Sequence, residues 1–172
     1  MDFSKLSQNN WIAAGGGLLT FIAGFLPWFS WGDDSLSGLG LDLSVNQSGF
    51  DAGLFAILGI LLCVAAAVIL VLKVMDIQDV NASNLSAEQI AMILAAVGTL
   101  FILLRILIAP GGGFNISASR AWGGFLAFIA AGATTAGAFL SAQDKGIGIP
   151  SADDFTGGGG GGGNSGGTPS TF

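Results

Sequence analysis

The chain has 172 residues, 52% of them hydrophobic and 9% charged, where soluble domains carry about a quarter charged residues; too few polar side chains remain to clothe a globule in water, so lipid must cover most of it. Eleven acidic against five basic residues give a formal net charge of −6 without a basic run, which argues against nucleic acid as a partner and against cationic attachment to anionic lipid. With no His, no Tyr and Cys63 as the single cysteine, bis-histidine haem, an intrachain disulfide, a thiol pair for quinone chemistry and a Ser-His-Asp or Cys-His group are excluded, and protein-ligated zinc is disfavoured.

Residues 1–10 form a short polar entry whose one cation is Lys5. A cation before an apolar run resembles a signal peptide, but the run is long and no Ala-x-Ala pattern follows Trp31, so a retained first span is expected. Four apolar stretches follow, at 11–31, 50–74, 87–109 and 120–142, each of about the twenty residues a helix needs to cross a ~30 Å hydrocarbon core. The expected fold is all-α: a membrane four-helix bundle over residues 11–142, with a partly extended first extracytoplasmic loop and no separate soluble domain.

Pro27 stands near the end of the first stretch, where a kink of the last turn is expected. The loop after it carries Asp33, Asp34 and Asp42, and its Leu39, Leu41, Leu43 and Val45 alternate with small or polar residues, the period of an extended strand. The second span opens near Asp51 and closes near Lys73, charges that suit the two ends of the helix dipole. Ser86 with Gln89 predicts a capping box on the third span, with Glu88 as a first-turn acid. Ala109, Pro110 and Gly111–Gly113 form its stop signal. The tail, 143–172, holds Asp153, Asp154 and seven consecutive glycines, the composition of flexible coil.

Four spans put both termini on one side, with Lys5, Lys73 and Lys145 there and Arg105 and Arg120 opposite. The positive-inside rule then places both termini in the cytoplasm. Trp11, Trp28, Trp31 and Trp122 fall at span ends, where indoles anchor at the membrane interface.

Inside the spans, small residues recur every fourth position: Gly16, Thr20 and Gly24; Gly59, Cys63 and Ala67; Ala91, Ala95 and Thr99; Gly123, Ala127, Ala131 and Thr135. Such stripes let helix backbones approach closely. The fourth span is small on nearly every face, so it is expected to meet protein on two sides, one of them in another subunit. Phe21, Phe25 and Phe29 repeat at the same spacing, as a lipid-facing stripe or a subunit contact. Cys63 reads as a buried apolar thiol. Arg105 is the one charge inside an apolar run, about one turn from the span end; it pairs with Asp51, or meets Asp33 or Asp34, or holds an anion or lipid headgroup. No Asp or Glu lies at mid-depth, which argues against a proton-coupled exporter. Asn46, Asn81, Asn84 and Asn115 match the glycosylation pattern only weakly, and the terminal Ser170-Thr171-Phe172 resembles a ligand of carboxylate-capturing domains.

The strings FLPWFSW (25–31), SGFDAG (48–53) and RAWGGF (120–125) resemble a pattern of small four-span membrane proteins of actinobacterial type. That resemblance covers residues 11–142 and implies a bacterial cytoplasmic membrane and little about activity. Claudin-like proteins share the layout, but their Trp-Gly-Leu-Trp and paired-cysteine loop is missing here. The expectation is a non-catalytic structural or accessory subunit, without cofactor or metal, that associates laterally with itself or within a larger membrane complex. The tail offers a further point of protein contact. The alternative is a small channel, transport or lipid-handling protein using Arg105 and Arg120 near the outer surface.

Overall fold

The computed structural model describes residues 7–31, 45–75, 85–108 and 118–149. The acidic part of the first loop, the second loop's Asn81 and Asn84, the 109–117 loop with Asn115, Lys5 and most of the tail lie outside the described residues. Among those described there are four helices and a small sheet: α1 (Gln8–Ala23), β1 (Pro27–Trp31), β2 (Val45–Ser48), α2 (Leu54–Val74), α3 (Ala87–Leu107), β3 (Ala118–Arg120) and α4 (Trp122–Asp144).

Three of the helices, α2, α3 and α4, are long and apolar enough to cross a membrane. At 1.5 Å per residue they measure about 31–35 Å, while α1, with 16 residues, measures about 24 Å. The first apolar stretch is therefore not one helix. After Ala23 the backbone tightens, with Phe25 N–H donating to Ile22 O and Leu26 N–H to Ala23 O. Pro27 then has no N–H to continue and restrains Leu26 away from helical geometry. The expected kink is in fact an end, and the aromatic PWFSW segment runs on as a strand, the conformation its side chains favour.

That strand is the centre of a three-stranded sheet in the order β2–β1–β3, antiparallel throughout. The β1–β2 register slips between Pro27 and Phe29, so Trp28 is an extra residue in the ladder. A bulge of this kind re-aims a side chain. Here it turns two consecutive residues, Trp28 and Phe29, into the core, each 1% exposed, where a regular strand would send one of them out. Val45, the last residue of the alternating run, lies in β2, which continues to Ser48; Leu39, Leu41 and Leu43 fall outside the described residues.

The helix caps are largely local chemistry. Ser86 accepts from Gln89 N–H while the Gln89 side chain accepts from Ser86 N–H, closing the expected capping box on α3. Ser7 accepts from Asn10 N–H at the start of α1. Asp51, expected in the first turn of the second span, lies before it, because Gly53 at φ +108° breaks the chain there and α2 begins at Leu54.

The helices pack as a ring, α2 against α3, α3 against α4, α4 against α1 and α1 against α2. The sheet sits at the end where α1 and α3 finish and α2 and α4 begin. Two buried clusters fill the interior, one under the sheet around Trp28, Ile60 and Ile102, the other in the far half around Ala13, Leu70 and Ala95.

Candidate functional site

Polar chemistry in this chain concentrates at the two ends of the helices. At the sheet end, Arg105 lies in the last turn of α3 with its guanidinium 4.6 Å from the centre of the Phe29 ring, within cation–π range. Its Nε donates to Ala52 O and its Nη1 to Ile108 O. Arg120, on β3, donates from Nε to Ile106 O at 2.9 Å and from Nη2 to Leu107 O at 3.2 Å. Two cations thus serve three consecutive carbonyls at the α3 C-terminus, where the helix leaves acceptors unpaired and its dipole is negative.

The expected Arg105–Asp51 pair is not what the side chains make. The Asp51 carboxylate instead accepts from Ser48 Oγ at 2.6 Å, in the exposed turn between β2 and α2. Displaced from the helix by Gly53, it takes the nearer local donor, and Arg105 reaches the carbonyl of the next residue. Asp33 and Asp34 fall outside the described residues.

At the opposite end Glu88 is fully buried, 0% exposed, in the first turn of α3. Its Oε2 accepts from Lys73 Nζ at the end of α2 and its Oε1 from Lys145 Nζ just past α4, both at 2.6 Å. One carboxylate therefore ties three helices together, and each of its oxygens has a charged donor, the condition a buried charge requires. Beside it, Ser141 Oγ donates to Asn10 Oδ1 and Asn9 Nδ2 to Asp144 Oδ2, each at 2.6 Å, joining α1 to α4. Sequence reasoning read Glu88 only as a complement to the helix dipole. The missed signal was that Lys73, Glu88 and Lys145 all fall at span ends on the same side.

Between these ends the small residues pack helix on helix. A Cβ added at Gly16 would stand 2.7 Å from Thr134 N and 2.8 Å from Ala130 O. One added at Gly59 would meet Gly98 O at 2.9 Å, and one at Gly98 would meet Gly59 O at 2.8 Å. The α1–α4 and α2–α3 seams are thus backbone-to-backbone contacts. Gly24 lies against Phe50 and Ile60, and Gly123 against the Pro27 carbonyl. Thr20, Cys63, Ala67, Ala91, Ala95, Ala127 and Ala131 are all buried inside the chain. Thr99 and Thr135 are half-buried with their hydroxyls 2.9 Å apart. The expected stripes therefore pack the chain against itself; of the named positions, only Thr99 and Thr135 keep an outward side.

One of the four tryptophans, Trp28, sits differently from an interface anchor. Trp28 is sealed under the sheet, its indole N–H donating to Ala23 O at 2.9 Å and its ring lying against Gly49. Trp31 is half-buried on β1, while Trp11 and Trp122 are exposed. The phenylalanine stripe divides likewise: Phe21 and Phe25 stack on Phe50, with ring centroids 6.0 and 4.8 Å apart, whereas Phe29 is interior.

Many large apolar side chains face outward, and most buried positions are small. Leu18, Phe25, Leu54 and Ile129 are each more than 60% exposed, while alanines dominate the buried set. No group of three or more His, Cys, Asp or Glu that could hold a metal occurs among the described residues.

The fold therefore defines a mainly helical chain with three helices fit to cross a membrane, a small sheet at one end and an ionic knot at the other. None of the protein-family models, curated proteins or solved structures compared with the chain matches it.

Proposed function

We propose that the chain is a non-catalytic integral membrane subunit, structural or accessory, built as a membrane four-helix bundle with both termini in the bacterial cytoplasm. The single observation that carries this reading is the inversion of side-chain size: bulky apolar residues outside, Ala and Gly inside. In water that arrangement exposes the apolar surface that folding should bury. In lipid it is the expected one, because close packing rather than hydrophobic burial holds helices together.

In this reading α1 crosses as well, beside α2, α3 and α4. Its about 24 Å of helix is lengthened by the turn at Gly24–Leu26, and β1 lies at the outer interface. The polar side chains support a structural role, since Arg105, Arg120, Glu88, Lys73 and Lys145 all bind groups of the chain itself. Lateral association falls to outward faces. On α1, Gly15 has open space where a Cβ would go and lies beside exposed Leu18, Leu19 and Ile22. The kinship this supports is with small four-span bacterial membrane proteins.

The second reading, a channel or lipid-handling protein, draws on the guanidinium nitrogens Arg105 Nη2 and Arg120 Nη1, which have no partner among the described residues. Gentle-detergent purification from native membranes, followed by mass spectrometry of the co-purifying chains, tests the first reading. A defined homo-oligomer or larger complex supports it; a bare monomer at every detergent concentration contradicts it. Ion conductance in planar bilayers, abolished by Arg120→Gln, would favour the second.

A further inference from the structure

We infer that the outward groove between α3 and α4 holds one anionic phospholipid, with an acyl chain along the groove and the phosphate on Lys145; the inference rests on the membrane reading above.

The groove has a volume of about 670 Å³, within the ~300–1,000 Å³ of small-molecule sites. Its walls are apolar, with Met92 and Ala96 on α3 and Gly132, Ala136 and Phe139 on α4. Two features distinguish it from an ordinary lipid-facing surface. First, its floor is notched: at Gly132 nothing lies within 4 Å of an added Cβ, and the polar groups there are already engaged, Thr135 Oγ1 donating to Ala131 O and bonded to the Thr99 hydroxyl. Second, a partly exposed lysine, Lys145, stands near one end of it. Met92 lies one helical turn from Glu88, and Glu88 binds Lys145. Ile149, four residues beyond Lys145, closes the same end of the groove, with Gly148 O accepting from Gln89 Nε2 at 3.4 Å.

Lys145 remains 42% exposed although Glu88 is sealed. An ammonium has three N–H donors, and Glu88 Oε1 takes one. The half-exposed ammonium stands at a helix end on Glu88, one turn of α3 from the groove-lining Met92, and an exposed lysine beside an apolar groove is the combination that recognises an anionic headgroup. Asp144, the adjacent acid, accepts from Asn9 of α1, which draws its carboxylate toward α1. The positive-inside orientation puts this end in the cytoplasmic leaflet, where anionic lipids concentrate.

The test uses full-length protein purified from membranes, delipidated, and titrated with phosphatidylglycerol or phosphatidylcholine by native mass spectrometry. The expected result is one retained phosphatidylglycerol, bound more tightly than phosphatidylcholine. Lys145→Gln should weaken it about fivefold, on the scale of one lysine at an anionic surface, and Lys145→Arg should retain it. Gly132→Leu, which fills the groove where space is open, should abolish retention without lowering thermal stability. Equal uptake of the two lipids, or wild-type retention by Gly132→Leu, would overturn the inference. Protein found in the soluble fraction would overturn the membrane reading as well. Membrane-bound protein without retained lipid overturns this inference alone.

Discussion

Gly98 and Gly132 are both helical glycines in apolar spans, yet the structure gives their alanine variants opposite signs. At Gly132 an added methyl meets nothing within 4 Å, so Gly132→Ala gains only helix propensity, about 0.5–1 kcal/mol. At Gly98 the same methyl would stand 2.8 Å from Gly59 O and from Cys63 Sγ. Ordinary contact begins near 3.4 Å, so α2 and α3 must part by about 0.6 Å. A gap of that size forfeits roughly a quarter to a half of each dispersion contact along the seam, and overpacking in well-filled cores costs about 1–3 kcal/mol. Set against the propensity gain, Gly98→Ala should destabilise by up to about 2.5 kcal/mol. Gly59→Ala, whose methyl would meet Gly98 O at 2.9 Å, should cost a similar amount. The double variant should cost less than the sum, because one displacement relieves both clashes. Reversible unfolding in mixed micelles measures all four variants against the wild type. Equal stability of Gly98→Ala and Gly132→Ala would refute the backbone-to-backbone seam.

Glu88→Gln should lower stability by about 2–4 kcal/mol, since it weakens two charge-assisted hydrogen bonds; the same unfolding assay checks it, and an unchanged midpoint would mean that the ionic knot is ornamental. Trp28→Phe keeps the ring under the sheet but removes the donor to Ala23 O, so a loss of about 1 kcal/mol is expected, with Trp28→Ala costing about 3–5 kcal/mol. A double-mutant cycle of Thr99→Val with Thr135→Val should return a coupling of about 0.6 kcal/mol, the usual worth of an interhelical hydrogen bond in lipid; zero coupling would separate the two hydroxyls.

How much of this was legible in the residues depends on the range of the interaction. The Ser86–Gln89 capping box, the last-turn Lys73 and the apolar length of α2, α3 and α4 are local, and the sequence carries them directly. So does the small-residue spacing, but not its destination: a stripe of Gly59, Cys63 and Ala67 packs as readily on a second molecule as on α3, and only the tertiary arrangement decides. The sheet was hidden because PWFSW is as hydrophobic as a helix end. The two periodicities differ, but five residues are too few to separate them, and the bulge at Trp28 removes the alternation that would have marked a strand. The partners of Arg105 and Glu88 are non-local. Ala52 O and Lys145 Nζ reach them from 53 and 57 residues away, distances over which spacing says nothing.

In the proposed fold the chain crosses the membrane four times, with α1 the shortest crossing. Single-cysteine variants at Ser7, Asn46, Ser119 and Gln143, all exposed, can be labelled with a membrane-impermeant thiol reagent on intact cells and on inverted vesicles; buried Cys63 should stay silent. The account predicts that Asn46→Cys and Ser119→Cys label from outside and Ser7→Cys and Gln143→Cys only from inside. Labelling of Ser7→Cys and Asn46→Cys from the same side would contradict it, because α1 would then not cross the membrane.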